Sequence, residues 1–253
     1  MVLTHSHAQM STPANSRPRK FLAEFAGTFA VVLVSAGVVW TSVYPRSLGE
    51  NHGTTPLGVA IWYGVAYGSA IAALGRISGG HFNPAVTIAH WVTHRFGTFD
   101  TLLYAAAQLG GAAAGAYALR YAVLAASGTS ALLGPPGLAA GVTRGPAMLI
   151  EGSMTFVLVL ALWATIADRA RPRYWLAGLA AGMVITLAVL AGGPFTGGAM
   201  NPARAFGPAL ASHHWTYQGV YWIGPLAGGV AAASLYDFLF HRARPAESER
   251  THG

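Results

Sequence analysis

The sequence predicts an all-α membrane protein: six transmembrane helices plus two re-entrant half-helices, arranged as an inverted repeat. Three observations predict it. The 253 residues are 53% hydrophobic and only 9% charged, where an ordinary soluble domain carries roughly 25% charged residues. Six apolar segments each approach the ~20 residues that a bilayer core requires. An Asn-Pro-Ala triplet occurs twice, each time opening an apolar stretch about half that long. The 32 glycines fit the same class, because small side chains let helix backbones approach where no hydrophobic force draws them together. Cysteine is absent, which excludes disulfides, a Cys metal site and a thiol nucleophile and leaves the redox compartment open. The net charge of +7 sits in short loops and tails, with no basic stripe interleaved with aromatics, so membrane lipid and not nucleic acid is the expected partner.

Taken in order, residues 1–16, "MVLTHSHAQMSTPANS", lack the apolar stretch of a signal peptide, and 1–19 read as a disordered cytoplasmic tail. The first span, 20–42, is preceded by Arg17, Arg19 and Lys20 and followed by "YPRSLGENHGTTP", a turn-rich loop. The second covers 57–76 and the third 99–122. After the third, "SGTSALLGPPG" stops any helix at Pro135 and Pro136. The fourth and fifth, 145–167 and 174–192, are joined by "DRARPR", a connection so short that the two must be antiparallel neighbours. The sixth covers 216–240, and 242–253 form a second tail. Two pieces remain, 77–95 and 193–211, each Gly-rich and then Asn-Pro-Ala. Non-helical backbone is tolerated at membrane depth only when buried in protein or lining a wet cavity.

Orientation follows from Lys and Arg. With the amino end inside, the cytoplasmic loops hold Arg17, Arg19, Lys20, Arg76, Arg95, Arg169, Arg171, Arg173, Arg242, Arg244 and Arg250. The outer side holds Arg46, Arg144 and, near a helix end, Arg120. Both termini are therefore expected in the cytoplasm.

The chain repeats internally. "AEFAGTF" at 23–29 and "IEGSMTF" at 150–156 share Glu, Thr and Phe at one spacing, and the Asn-Pro-Ala triplets recur at a similar offset. Repeat 1 spans about 20–122 and repeat 2 about 145–241. Three spans per half is an odd number, so the halves must lie inverted, with their shared site near the midplane where the broken helices meet.

At each triplet Asn83 and Asn201 suit an N-cap, and Pro84 and Pro202 suit the first helical turn, where the missing N–H costs nothing. Ala85 and Ala203 complete the triplets. Two helix amino ends, each carrying about half an elementary charge, would then face one another and repel cations. Upstream, "SGGH" at 78–81 and "TGGA" at 196–199 can run extended. The backbone of Ser78, Gly79, Gly80, His81, Gly197, Ala199 and Met200 would then line a lumen with carbonyl acceptors. Acceptor ladders around two central donors suit water or another small neutral hydrogen-bonding solute.

Across residues 20–241 the chain resembles the aquaporin (major intrinsic protein) family, on "SGGHFNPAVT" and "TGGAMNPARAFGPA" at equivalent places in two halves. The resemblance implies six tilted helices, two half-helices and a homotetramer with one pore per subunit. It also implies an outer constriction of four positions, carried onto Tyr63, Val189, Gly198 and Arg204. Members selective for water typically have Phe and His at the first two of these. Here Tyr63 keeps an aromatic and Arg204 the cation, but Val189 replaces His and Gly198 has no side chain, so the opening should be wider and less polar. Glycerol-conducting relatives usually have Asp after that Arg, where this chain has Ala205; they lack the Tyr221-Trp222 pair found here. The expected function is passive conduction of water together with other small neutral solutes such as ammonia, urea, glycerol or metalloid acids. The alternative is a channel mainly for those solutes.

Other readings of the same residues are plainer. Arg204 could snorkel to a headgroup, but an intramembrane Arg is costly enough to favour a pore role. Glu24 and Glu151, at equivalent repeat positions, suit structural acceptors better than a proton relay. His81 reads equally as a vestibule residue or as an ordinary loop histidine, Tyr63 as a filter residue or an interfacial aromatic, and Gln108 as an interhelical hydrogen-bonder. His213 and His214 lack a third ligand, so no metal is expected, and no cofactor. Gly111/Gly115, Gly178/Gly182 and Gly224/Gly228 have small-xxx-small spacing for packing. A coupled transporter would need side chains for a driving ion, an adhesive protein large outer loops, and an enzyme a catalytic set; none is evident. The expected location is the cell membrane, inner or plasma.

Overall fold

The computed structural model describes residues 16–47, 53–128, 133–167 and 172–240. The tails expected at 1–19 and 242–253 lie outside them, except that helix α1 already begins at Arg17. Among the described residues the architecture is helical throughout: α1 (Arg17–Ser47), α2 (Pro56–Ser78), α3 (Pro84–Val92), α4 (Thr98–Ser127), α5 (Arg144–Leu162), α6 (Tyr174–Thr196), α7 (Pro202–Ser212) and α8 (Gln218–Phe240). A π-helical turn, Trp163–Ala167, extends α5.

The six long helices are apolar enough to cross a membrane; at 1.5 Å per residue even a 23-residue helix reaches about 35 Å, beyond the ~30 Å hydrocarbon core. With 9 and 11 residues, α3 and α7 reach about half of it. The outward side chains of the long helices are large and apolar: Leu102 on α4, Leu149 on α5 and Leu187 on α6 are 66%, 71% and 64% exposed. Such a surface is stable only against lipid or protein. The fold is therefore that of an integral membrane protein.

The helices stop and start where local chemistry says they should. Thr55 caps α2, its hydroxyl accepting from Gly58 N at 3.1 Å, with Pro56 in the first turn. The long helices of both halves end on left-handed glycines, Gly79 (φ +100°) after α2 and Gly197 (φ +80°) after α6. Glycine adopts this conformation without a Cβ clash.

Helix directions follow from close approaches. Thr41 and Thr54 join the end of α1 to the start of α2, and Leu22 shares a groove with Ile77 at the other end, so α1 and α2 are antiparallel. A Cβ on Gly111 or Gly115 would fall against the carbonyls of Phe25 and Phe29, so α4 runs parallel to α1. For α4 to do so, the chain between α2 and α4 must return to the face it left, and α3 dips in without crossing. The second half repeats this: Gly224 meets Met148 and Gly228 meets Gly152, making α8 parallel to α5. Between halves, Gly64 faces Gly182 and Gly68 faces Gly178, making α2 antiparallel to its counterpart α6. The two halves are inverted.

These contacts are backbone against backbone, so the glycines are not replaceable. Gly228→Leu is expected to push α8 off α5, because the side chain would have to occupy the Gly152 backbone; overpacking of this kind costs about 1–3 kcal/mol or more. Size-exclusion profiles and thermal unfolding in detergent check it, and a wild-type melting curve would contradict it.

Candidate functional site

The two half-helices meet amino end to amino end. Asn83 caps α3, its Oδ1 accepting from Ala85 N at 2.8 Å. Asn201 caps α7 in the same way, accepting from Ala203 N at 3.0 Å and Arg204 N at 3.4 Å. Each side chain also reaches the other half: Asn83 Nδ2 donates to Met200 O and Asn201 Nδ2 to Phe82 O, both at 2.9 Å. An amide carries two N–H groups, and each asparagine spends one of them on the opposite half.

Behind the asparagines stand the two buried glutamates. Glu24 on α1 accepts from Ser78 Oγ (2.6 Å), His81 N (3.0 Å), Phe82 N (2.7 Å) and Gln108 Nε2 (2.8 Å). Glu151 on α5 accepts from Thr196 Oγ1 (2.6 Å), Ala199 N (3.0 Å) and Met200 N (2.7 Å). Every neighbour is a donor, so each group acts as an acceptor only. Phe82 (φ +46°) and Met200 (φ +52°) lie in the left-handed region, which costs a non-glycine residue about 1 kcal/mol or more. Both are over-determined: the N–H is held by the glutamate of its own half and the carbonyl by the asparagine of the other.

The expected carbonyl ladder is partly used from within. Tyr104 donates to Ser78 O (2.6 Å), Tyr67 to His81 O (2.6 Å), Tyr63 to Ala199 O (2.7 Å) and Tyr221 to Thr196 O (2.9 Å). Ser78, His81, Ala199 and Met200 therefore do not present wholly bare carbonyls. Among the described residues no donor reaches the carbonyls of Gly79, Gly80, Gly197 or Gly198. The sequence reading missed these four tyrosine clamps, though Tyr104 and Tyr221 stand almost one repeat offset apart. Gln108 is the interhelical donor expected, bonding Glu24 and Thr87.

Tyr63, Val189, Gly198 and Arg204 come together. Tyr63 is tied to the residue after Gly198, the Arg204 guanidinium carbon lies 6.0 Å from the Tyr63 ring centre, and a Cβ on Gly198 would sit 3.2 Å from Val189 Cγ2. Arg204 is 2% exposed; it donates from a terminal guanidinium nitrogen to Gly134 O at 3.1 Å, and its Nε has no partner among the described residues. The loop carbonyl that receives Arg204 lies 70 residues away in sequence, which no local pattern could reveal. Gly198 itself has φ +62°, so a β-branched residue there would be strained.

His81 is buried, with Nδ1 3.1 Å from Thr87 Oγ1. His213 caps the end of α7 with φ +54° and is exposed. Among the described residues no group of three His, Cys, Asp or Glu could hold a metal.

Comparison with known proteins agrees with this geometry. The Major intrinsic protein family profile matches residues 10–236. "Aquaporin TIP4-4" of Zea mays is 39% identical over 225 residues, covering 88% of this chain and 86% of that protein. "Lens fiber major intrinsic protein" of Oryctolagus cuniculus is 42% identical over 236 residues, covering 92% and 85%. The "X-ray structure of the aquaglyceroporin from Plasmodium falciparum" superposes with a TM-score of 0.77 at 21% identity, over 88% of this chain and 96% of that one, and so shares the fold. With six apolar spans, two half-helices joined through paired asparagines and a family profile over nearly its whole length, the chain belongs to the major intrinsic protein family of membrane channels.

Proposed function

We propose that the chain conducts water passively, and other small neutral solutes with it, along a path between Asn83 and Asn201. The observation that carries this reading is the asparagine pair: each amide is locked by its own helix and by the opposite loop, so its remaining N–H is fixed in direction without side-chain entropy to lose. The carbonyls of Gly79, Gly80, Gly197 and Gly198 supply acceptors on either side. Two helix amino ends and the Arg204 guanidinium repel cations. The aquaporin names of relatives support water as the solute.

In this reading Tyr63, Val189, Gly198 and Arg204 form the selectivity filter. Val189 is apolar and Gly198 contributes no side chain, which favours a second reading in which uncharged solutes such as glycerol, urea, ammonia or metalloid acids are the main cargo. Repeat 1 runs from about 20 to 122 and repeat 2 from about 145 to 241, four chains form a homotetramer with a pore in each, and the protein resides in the cell membrane with both termini in the cytoplasm. The excess of Lys and Arg in the loops on the amino-terminal side supports that orientation.

Val189→His tests the filter without straining Gly198. The added imidazole is expected to cut glycerol and urea flux on the order of tenfold, a barrier change near 1.4 kcal/mol, while water flux falls less. Stopped-flow light scattering on proteoliposomes reads both. Equal loss of water and glycerol flux would place the constriction elsewhere.

A further inference from the structure

The two halves are not alike where the asparagines meet. The repeat offset that takes Asn83 to Asn201 takes Tyr67 on α2 to Ile185 on α6. Both side chains are fully buried, so the fold fills equivalent places with a phenol in one half and a hydrocarbon in the other. The hydroxyl is therefore not needed to build a half-helix or its asparagine cap.

Tyr67 is held at the loop that leads into Asn83. Its hydroxyl donates to His81 O at 2.6 Å, and its ring packs edge-on against Phe82 with centroids 6.4 Å apart. The Asn83 amide is the other side chain bonded at that hydroxyl. A hydroxyl that has given its hydrogen to a carbonyl can only accept, so Asn83 is the donor. Met200 O takes one Asn83 hydrogen at 2.9 Å and Tyr67 takes the other. Both are spent inside the protein. Asn201 has no such neighbour: among the described residues its amide donates to Phe82 O alone.

Tyr67 also stands in line with the filter. Four residues place it on the same face of α2 as Tyr63, about 6 Å further along the axis. Tyr63 donates to Ala199 O at 2.7 Å, the carbonyl equivalent by repeat to that of His81. One helix thus covers the matching carbonyls of both loops. Tyr67 and Asn83 are each 0% exposed, which leaves no water-sized gap between phenol and amide.

We propose that the Tyr67 hydroxyl makes the asparagine junction selective for water over polyols and urea, by occupying the Asn83 donor and the His81 carbonyl that a larger solute would need. The proposal rests on the channel reading above and assigns the discrimination that the open filter of Val189 and Gly198 lacks. Water offers one oxygen, which the remaining N–H of Asn201 can serve. Glycerol and urea bring several polar groups into the passage at once, and each one stripped of water without a new partner raises the barrier.

The test compares wild type, Tyr67→Phe and Tyr67→Ile in proteoliposomes by stopped-flow light scattering, reading the ratios of glycerol and urea permeability to water permeability. Tyr67→Phe keeps the ring and returns one donor and one acceptor to the passage, so both ratios are expected to rise on the order of tenfold. Tyr67→Ile, which installs the side chain of the second half, is expected to raise them at least as much, and decides the matter alone if the phenylalanine variant does not fold. Loosened packing by itself would change all three fluxes together and leave the ratios where they were. If either variant folds and keeps the wild-type ratios while wild type conducts water, the role of Tyr67 is overturned and the channel reading stands. If wild type conducts no water, both fall.

Discussion

Arg204→Val is expected to admit cations, raising the proton and cation leak of proteoliposomes by about two powers of ten. The guanidinium is a full charge, 2% exposed, at the amino end of α7, where the helix already contributes about half a positive charge. A cation passing at about 6 Å from it meets a repulsion near 3 kcal/mol at an effective dielectric of about 20, which corresponds to roughly a hundredfold in rate. Arg204 also donates to Gly134 O, so valine loosens the loop that borders the site. Water should still pass, since neither asparagine is altered. A dye-reported proton flux equal to that of wild type would mean that Arg204 does not face the path.

Glu24→Ala carries the second large effect, on stability. It would orphan the donors of Ser78, His81, Phe82 and Gln108, and each buried donor left unpaired costs about 1–3 kcal/mol. The sum approaches the whole margin of about 5–15 kcal/mol that keeps a protein folded. It would also release Phe82 from its left-handed conformation and move the carbonyl that receives Asn201. Glu151→Ala orphans Thr196, Ala199 and Met200 and should cost less, because Gln108 has no partner-half equivalent: Pro225 stands one repeat away. Melting in detergent should therefore fall by more than about 10 °C for Glu24→Ala, and less for Glu151→Ala. Melting within about 2 °C of wild type for both would show that water replaces the carboxylates.

The parts of this architecture that could be read from the residues are those with a local or periodic signature. Six apolar runs, proline after asparagine, and glycine after α2, α4 and α6 all act within a few residues, and the six spans and two half-helices followed from them. Span limits moved outward in the first half, as at Arg17–Ser47 against 20–42, because helices continue through flanking polar residues that hydropathy ignores. Contacts between distant segments were not legible. Nothing near Gly134 says that its carbonyl receives Arg204, and nothing in "WATIA" announces a π-helical turn. Nor does "NPA" show that each asparagine uses one hydrogen on the opposite loop. The tyrosine clamps lay within reach of the repeat but carry no motif of their own. The left-handed Gly198 was hidden as well, since glycine adopts either sign of φ with equal ease.

The most direct measurement of the central claim is the osmotic shrinkage of proteoliposomes followed by stopped-flow light scattering, with no ion gradient applied. A passive path between Asn83 and Asn201 makes water leave far faster than from protein-free vesicles of the same lipid. Shrinkage no faster than that of the bare vesicles, or acceleration only under a sodium or proton gradient, would contradict it.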